Sequence, residues 1–191
     1  RHLRARHAGA CVAGLIAANL SGKGQLCLLI AGLDRILRQD AQPRGFDVTL
    51  RFAGAASGDT TLRATDEWGG VTDFHRAIHD VRTDAQVARE VRHGAWKLTH
   101  APGEPLTVRY RVANDVPDTE GVLDHRDFYR AMVGPTFFHA FGHALVIAPE
   151  HFPGDEPVDT CIRFEGLAPQ ATFASSYGVG QGGGIASMQA R

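Results

Sequence analysis

Three stretches of the chain alternate apolar and polar residues with a period of two, the pattern of a β-strand that buries one face. The stretches are residues 46–52, 106–112 and 158–164. In the first of them, apolar side chains fall at every second position between Phe46 and Phe52. The sequence therefore predicts three strands at these places.

Shorter β-prone runs lie between turn signals rich in Gly and Pro. They are residues 60–64, 86–92, 95–99 and 172–174. We expect the runs on either side of His93-Gly94 to pair, and we expect a hairpin in the segment 54–70, which contains the turn 54–59 and the break Trp68-Gly69-Gly70. The apolar run Leu26–Leu33 is far shorter than the roughly 20 residues of a membrane span. It predicts a buried strand or helix, and no membrane span is expected.

The pattern of apolar residues does not decide the secondary structure of two segments. Residues 71–83 carry apolar side chains at three- and four-residue spacing, which fits helical turns but also an irregular strand. Residues 137–148 are apolar and stop before Pro149, as a buried strand or a hairpin turning at Gly142 would.

Several short strands separated by Gly/Pro turns, without a regular succession of helices, predict an all-β, mainly antiparallel fold. We expect a β-sandwich or a saddle-like curved sheet with few short helices. The predicted organisation is a poorly assigned start over 1–40, a β domain over 41–180, and a Gly-rich tail or linker over 181–191.

Composition narrows the class of partner. The chain has 191 residues, 43% of them hydrophobic and 21% charged, with a net charge of -1. A nucleic-acid surface needs clustered Lys and Arg, so small molecules or peptides are the expected partners and nucleic acid is not. Three cysteines, Cys11, Cys27 and Cys161, make no dense disulfide framework and leave the redox compartment open.

The two ends suggest a piece of a longer protein. The chain opens at Arg1 rather than Met and finishes at Arg191 without a closing element. A basic start over 1–6, followed by a small, apolar run over 8–20, loosely matches an export signal. Localisation therefore stays open, with export as one alternative.

Two histidine pairs have the spacing of a zinc helix without its glutamate. In an H-E-x-x-H helix, histidines at i and i+4 bind zinc and the Glu activates water. His139 and His143 have that spacing, but position 140 is Ala, Gly142 weakens a helix, and the surroundings predict a strand. His75 and His79 also lack the Glu and have no evident third ligand. We expect no metal site at either pair, with metal binding by the second pair as the weaker alternative.

Two further motifs resemble catalytic or nucleotide-binding signatures but lack their context. Residues 174–178, A-S-S-Y-G, resemble a nucleophile elbow, yet no histidine follows them and a Gly-rich segment stands where a helix is needed. Residues 178–183 spell G-x-G-x-x-G, but only eight residues remain for the helix, strand and acidic residue of a dinucleotide fold. We predict neither a serine hydrolase nor a nucleotide site, and expect a Gly-rich loop or linker.

Two other features have structural explanations. The acidic loop 114–127 lacks the spaced carboxylates of a calcium loop, so a solvated loop is expected. Four aromatic residues could line a binding surface, but aromatic side chains in strands are usually buried, and we expect at least three of the four in the core. These residues are Trp68, Trp96, Tyr110 and Phe164.

Three segments together resemble the amino-terminal β domain of the glycyl aminopeptidase family of zinc metallopeptidases. They are residues 46–70, with a strand leading to Trp-Gly-Gly, residues 96–112, with P-G-x-x-L-x-V-x-Y-x-V, and residues 158–180, with A-S-S-Y-G. Residues 137–149 are similar to the family's strand before the last third of the domain. The order and spacing of these segments, over roughly residues 46–180, carry the resemblance.

The resemblance implies a larger peptidase in which a following domain supplies H-E-x-x-H and a downstream Glu, binds zinc, and removes amino-terminal residues from peptides. This chain contains no H-E-x-x-H, so no catalytic, cofactor-binding or metal residue is carried over to it. The expected role is a non-catalytic domain that supports its own catalytic domain and helps shape the peptide cleft. The alternative is a free-standing β-sandwich that binds peptide or carbohydrate.

Overall fold

The computed structural model describes eight segments of the chain. They are residues 25–31, 44–84, 86–116, 124–134, 137–152, 159–164, 172–175 and 178–181. For residues 25–31, 159–164, 173–175 and 178–181, the backbone alone is described.

Short strands dominate these segments. In chain order they are β1 (Gln25–Ala31), β2 (Gly45–Ala53), β3 (Asp59–Arg63), β4 (Glu67–Trp68), β5 (Val71–Thr72), β6 (Ile78–Thr83), β7 (Arg89–Arg92), β8 (Ala95–Thr99), β9 (Pro105–Ala113), β10 (Met132–Val133), β11 (Phe138–His139), β12 (Ala148–Pro149), β13 (Asp159–Phe164), β14 (Thr172–Ser175) and β15 (Gly178–Gln181). Within these described segments, helical structure is limited to two 3-10 turns, Phe74–Ala77 and Asp127–Tyr129, and one α-helical turn, α1 (Gly142–Leu145). Within the described residues, no helix is long and apolar enough to cross a membrane.

Two sheets form the body of the fold. The first has five strands in the order β13-β1-β2-β9-β6, and the second has four in the order β12-β3-β8-β7. Pairing is antiparallel except between β1 and β13, which run parallel. The longest ladder joins β2 to β9, from Gly45 opposite Ala113 to Ala53 opposite Pro105.

The main core joins residues from both sheets, as in a β-sandwich. The alternating apolar residues of β2 and β9 are buried, and they share this core with Leu62 of β3 and Leu98 of β8. Phe46 and Phe52 are fully buried at the two ends of β2, and Phe46 contacts the ring of Phe138 at a centroid distance of 5.1 Å. The period-two pattern of the sequence thus becomes the inner face of the first sheet.

Most of the predicted strands are confirmed. The three alternating stretches form β2, β9 and β13, the runs around His93-Gly94 form the pair β7–β8, and residues 60–64 and 172–174 fall in β3 and β14. The run at Leu26 forms a strand, β1, which lies between β2 and β13. The hairpin expected in 54–70 differs, because β3 pairs with β8 and β12, while the tight hairpin at Gly69-Gly70 joins β4 to β5, whose residues lie beyond position 70. The all-β, mainly antiparallel fold class is confirmed.

Three segments differ from expectation or resolve an ambiguity. Residues 71–83 combine both alternatives, because a 3-10 turn at Phe74–Ala77 leads directly into strand β6. Residues 137–148 are neither one strand nor a simple hairpin, since the helical turn α1 separates β11 from β12. Gly178–Gln181, expected in a loop or linker, is a strand paired with β14.

The helical turn α1 has a local explanation. Phe141 is extended, with φ -81° and ψ 158°, and Val146 returns to the β region, so helical geometry lasts for four residues. Ala144 and Leu145 are buried by this turn. Burial of these two side chains favours the helical turn over the extended continuation that the apolar composition alone predicted.

A candidate interaction surface

A two-residue turn presents Trp68 at the surface. Strands β4 and β5 pair around Gly69 and Gly70, which have φ values of 60° and 76°. Positive φ at both turn residues matches the twist of a tight hairpin and strongly favours glycine. A Cβ at Gly69 would lie 3.0 Å from the ring of Tyr129, so glycine also lets that ring approach the turn. Trp68 remains 55% exposed.

Three aromatic rings surround the imidazole of His143. Trp68 stacks on it at a centroid distance of 5.1 Å, and Phe141 lies almost parallel to it at 5.4 Å and 8°. Phe74 meets the same imidazole edge-on at 4.9 Å. His143 therefore joins the β4–β5 hairpin, the first 3-10 turn and α1 in one aromatic cluster.

A second group of rings extends this cluster along the surface. His139 contacts Phe141 at 5.1 Å and Phe128 at 6.5 Å, in both cases edge-to-face. Tyr129 lies 5.9 Å from Phe141 and 6.4 Å from His143. We call this set of six residues the aromatic surface: Trp68, Phe128, Tyr129, His139, Phe141 and His143.

Hydrogen bonds fix both histidines of the aromatic surface. Nε2 of His139 donates to the carbonyl oxygen of Phe128, and Nε2 of His143 donates to that of Tyr129, each at 3.0 Å. Because a carbonyl oxygen can only accept, Nε2 carries the proton in both rings. Burial lowers the pKa of His143 below its ordinary value, and the hydrogen bond to Tyr129 offsets part of that effect. The structure therefore favours a neutral imidazole at the centre of the cluster.

Buried contacts hold the aromatic surface on the sandwich. The hydroxyl of Tyr110, a fully buried residue of β9, donates to the carbonyl oxygen of Leu145 at 2.9 Å. Burial raises the pKa of this hydroxyl, so it stays a donor. Arg130 pairs with Asp115 at 2.5 Å and donates to the carbonyl oxygen of Thr72 at 3.2 Å. These bonds anchor α1 and the segment after Tyr129 to the rest of the domain.

The exposed rings make this surface apolar. Trp68, Phe128 and Phe141 are 55%, 47% and 41% exposed, which places them among the most exposed large hydrophobic residues of the described chain. Aromatic residues are enriched in protein interfaces because they bury much surface with few rotatable bonds. The arrangement is suited to contact with another apolar surface.

Neither histidine pair has the geometry of a zinc helix. His139 and His143 lie on different elements, β11 and α1, and both use Nε2 for a carbonyl oxygen. His75 lies in a 3-10 turn and His79 in β6, so they do not share a helical face. Across the described segments, no group of three or more His, Cys, Asp or Glu residues is arranged to hold a metal ion.

His75 has a different partner from the one that its spacing suggested. Its imidazole stacks on that of His93, in the β7–β8 turn, at a centroid distance of 5.5 Å. The carboxylate of Glu90 lies 3.9 Å from Nδ1 of His93 and accepts a bond from the backbone N–H of Gly94 at 3.4 Å. These contacts link the turn to the start of β6.

The A-S-S-Y-G motif and the acidic loop have structural roles in the described residues. Ser175 ends β14 and Gly178 begins β15, so a strand occupies the position where a nucleophile elbow needs a helix. In the acidic loop, Asp124 accepts bonds from the backbone and side chain of Arg126, which lower the pKa of its carboxyl group. Residues 117–123 of that loop lie outside the described residues.

The four aromatic residues that were candidates for a binding surface do not all lie in the core. Trp96 and Tyr110 are buried as expected, Trp68 is exposed, and the side chain of Phe164 lies outside the described residues. Trp68 and His143 were singled out separately from the sequence, but their contact was not predicted, and Phe128 and Phe141 were missed. Their one available signal was the density of aromatic and histidine residues over 125–143.

Comparison with known proteins finds a similarity at the level of the fold. No protein-family model and no curated protein sequence matches the chain. Among solved structures, the fold is similar to part of the aminopeptidase N family protein from Idiomarina loihiensis, with a TM-score of 0.57 and 17% identity. The match covers 87% of this chain and 27% of that one, so this chain spans about a quarter of its length. At this identity the two share a fold.

Proposed function

We propose that this chain is the non-catalytic amino-terminal β domain of a zinc aminopeptidase of the glycyl aminopeptidase type. In this proposal it supports the following catalytic domain and forms one wall of its peptide cleft. The aromatic surface is the observation that carries the proposal, because an apolar, hydrogen-bonded set of rings on a β domain is suited to permanent contact with a second domain. The shared fold with part of an aminopeptidase N family protein supports the same assignment.

The energetics of the surface favour a large partner. Isolated exposed apolar residues are common on monomers, but contiguous apolar patches mark interaction sites. Here Trp68 and Phe141 each stack on His143, so one partner surface could cover all three. The hydrogen bond of Tyr110 and the ion pair of Arg130 hold the patch in place before a partner binds. This reduces the entropy that is lost on docking.

Zinc chemistry belongs, in this proposal, to the following domain. Both histidines of the aromatic surface direct Nε2–H to backbone carbonyl oxygens, and neither has a carboxylate in the position of the H-E-x-x-H glutamate. The role of the described residues is therefore to position a neighbouring domain and its peptide, without taking part in the hydrolytic step.

One observation favours a second candidate, a free-standing module that binds peptide or carbohydrate. Trp68 presents more than half of its side chain to solvent, as platforms for sugar rings do. The opposing consideration is that His143 stacks against Trp68 and occupies one of its faces. The coding sequence after Arg191 discriminates the two, since an H-E-x-x-H segment within about 100 residues, a domain's length, supports the first candidate.

A hydrolysis assay tests the absence of catalysis in this chain. The purified 191-residue chain is incubated with amino-terminally unblocked peptides, with added zinc and with a chelator as control. We expect no zinc-dependent release of amino-terminal residues. Robust cleavage that zinc restores and the chelator abolishes would overturn the non-catalytic assignment.

A further inference from the structure

Two of the three cysteines occupy opposed positions on adjacent strands. In the parallel ladder of β1 and β13, Cys27 is the register partner of Cys161. Register partners share one face of a sheet, because successive residues alternate between its faces. The fold thus brings together two cysteines that are 134 positions apart in the sequence.

The spacing of the strands is compatible with a disulfide. Neighbouring strands lie about 4.8 Å apart. Disulfides join residues whose Cα atoms are roughly 4.4–6.8 Å apart. A bond between Cys27 and Cys161 therefore needs no rearrangement of the ladder beyond small local adjustments.

The same row of the sheet contains an arginine. Arg51 of β2 is the register partner of Cys27 on its other side, and the side chain of Arg51 is exposed. A cationic neighbour favours the thiolate form of a cysteine, which is the nucleophile in thiol–disulfide exchange. The row Arg51–Cys27–Cys161 therefore combines a thiol pair with a group that favours the attacking thiolate.

We propose that Cys27 and Cys161 form a redox-active dithiol that a disulfide oxidant such as glutathione disulfide closes into a bond between β1 and β13. One thiolate attacks the oxidant, forms a mixed disulfide and releases one glutathione thiol. The second thiolate then attacks the protein sulfur of the mixed disulfide and releases the second glutathione. The pair loses two electrons and two protons, and one glutathione disulfide becomes two glutathiones.

The unfolded chain should form a different disulfide from the folded chain. Loop closure favours nearby partners, and Cys11 and Cys27 are separated by only 16 positions. Random oxidation therefore favours the pair Cys11–Cys27, whereas the fold favours Cys27–Cys161. The identity of the disulfide distinguishes the two.

The experiment uses the intact 191-residue chain in buffers with graded ratios of reduced to oxidised glutathione. Free thiols are trapped by alkylation, and disulfide-linked peptides are identified by mass spectrometry after proteolysis. A parallel sample in denaturant measures pairing without the fold, and Cys11→Ser is the control variant. The oxidised chain is also compared with the reduced chain in thermal unfolding.

We expect the native chain to lose two thiols together, to link Cys27 to Cys161, and to leave Cys11 alkylated. Cys11→Ser should retain this behaviour, and oxidation should raise the unfolding midpoint. The denatured sample should instead be enriched in Cys11–Cys27. The proposal is overturned if Cys27 and Cys161 stay alkylated in the native chain under all ratios, or if Cys11 takes the place of either.

Discussion

The indole of Trp68 and the imidazole of His143 stack at a centroid distance of 5.1 Å and an interplanar angle of 25°. This contact joins a hairpin turn to a helical turn that lies more than 70 residues later in the chain. It depends on a neutral His143, because burial in an aromatic cluster disfavours the imidazolium ion. The pH dependence of stability follows directly.

Acidification should destabilise the domain through His143. The pKa of His143 is lowered in the folded state, so the unfolded chain binds the proton more tightly. The stability from the neutral ring is fully present above the unfolded pKa of about 6.5. It is lost as the pH falls from there to the folded pKa. We expect the free energy of unfolding, measured by urea denaturation, to decrease over that window.

His143→Phe isolates this contribution. The variant keeps an aromatic ring at the centre of the cluster and all other histidines of the parent, so the difference between the two pH profiles reports on His143. The parental profile should be steeper below pH 6.5, the ordinary His pKa. Identical slopes in the two proteins would show that His143 does not titrate with folding.

Tyr110→Phe should lower the free energy of unfolding by ~1–3 kcal/mol, because it leaves the buried carbonyl oxygen of Leu145 without its 2.9 Å donor. The ring and its packing are retained, so the loss reports on the hydrogen bond. Chemical denaturation measures it. A change near zero would mean that the anchor of α1 contributes little.

Gly142→Ala should stabilise the domain by roughly 0.5–1 kcal/mol, because Ala costs less entropy than Gly in a helical turn. A Cβ at Gly142 would have no atom within 4 Å. The control is Gly45→Ala, whose Cβ would lie 2.4 Å from the carbonyl oxygen of Val112 and should destabilise the protein. Thermal unfolding of the two variants should move in opposite directions, and a loss of stability in Gly142→Ala would contradict the helical geometry.

Substitutions at Asp80 test the conformation of the bulge in β6. It has a φ of 56° where the register between β6 and β9 shifts. Gly relieves the strain of this conformation but costs chain entropy, so Asp80→Gly should change stability by less than about 0.5 kcal/mol. Asp80→Val, with a β-branched side chain, should lose about 1–2 kcal/mol. Equal stability of the Gly and Val variants in denaturant titrations would argue against the left-handed conformation.

The sandwich could be predicted because buried residues alternate with more exposed ones along most of β2 and β9. In β2 the residues Phe46 and Phe52 mark a face that two-residue periodicity reveals without tertiary information. The parallel pairing of β1 with β13 could not be predicted, because nothing local in either strand encodes a partner more than 100 residues away. Long-range pairing is decided by the whole core.

The aromatic surface could not be predicted from the sequence either, because it also depends on contacts between distant segments. At least three of four aromatic residues, Trp68 among the four, were expected in the core, and Trp68 is exposed because its segment is a two-residue strand beside a turn. His143 was placed in a strand because its neighbours are apolar, whereas burial of Ala144 and Leu145 selects a helical turn. In both cases tertiary contacts override the local pattern.

Hydroxyl-radical footprinting tests the central claim most directly. The 191-residue chain is compared with the longer protein that the proposed function requires, in which a catalytic domain follows, and modification of individual side chains is read by mass spectrometry. The control is Val87, which is 77% exposed and lies outside the aromatic surface. We predict that Trp68, Phe128 and Phe141 become several-fold less reactive in the longer protein while Val87 is unchanged. Equal reactivity of the three aromatic residues in both proteins would contradict the account.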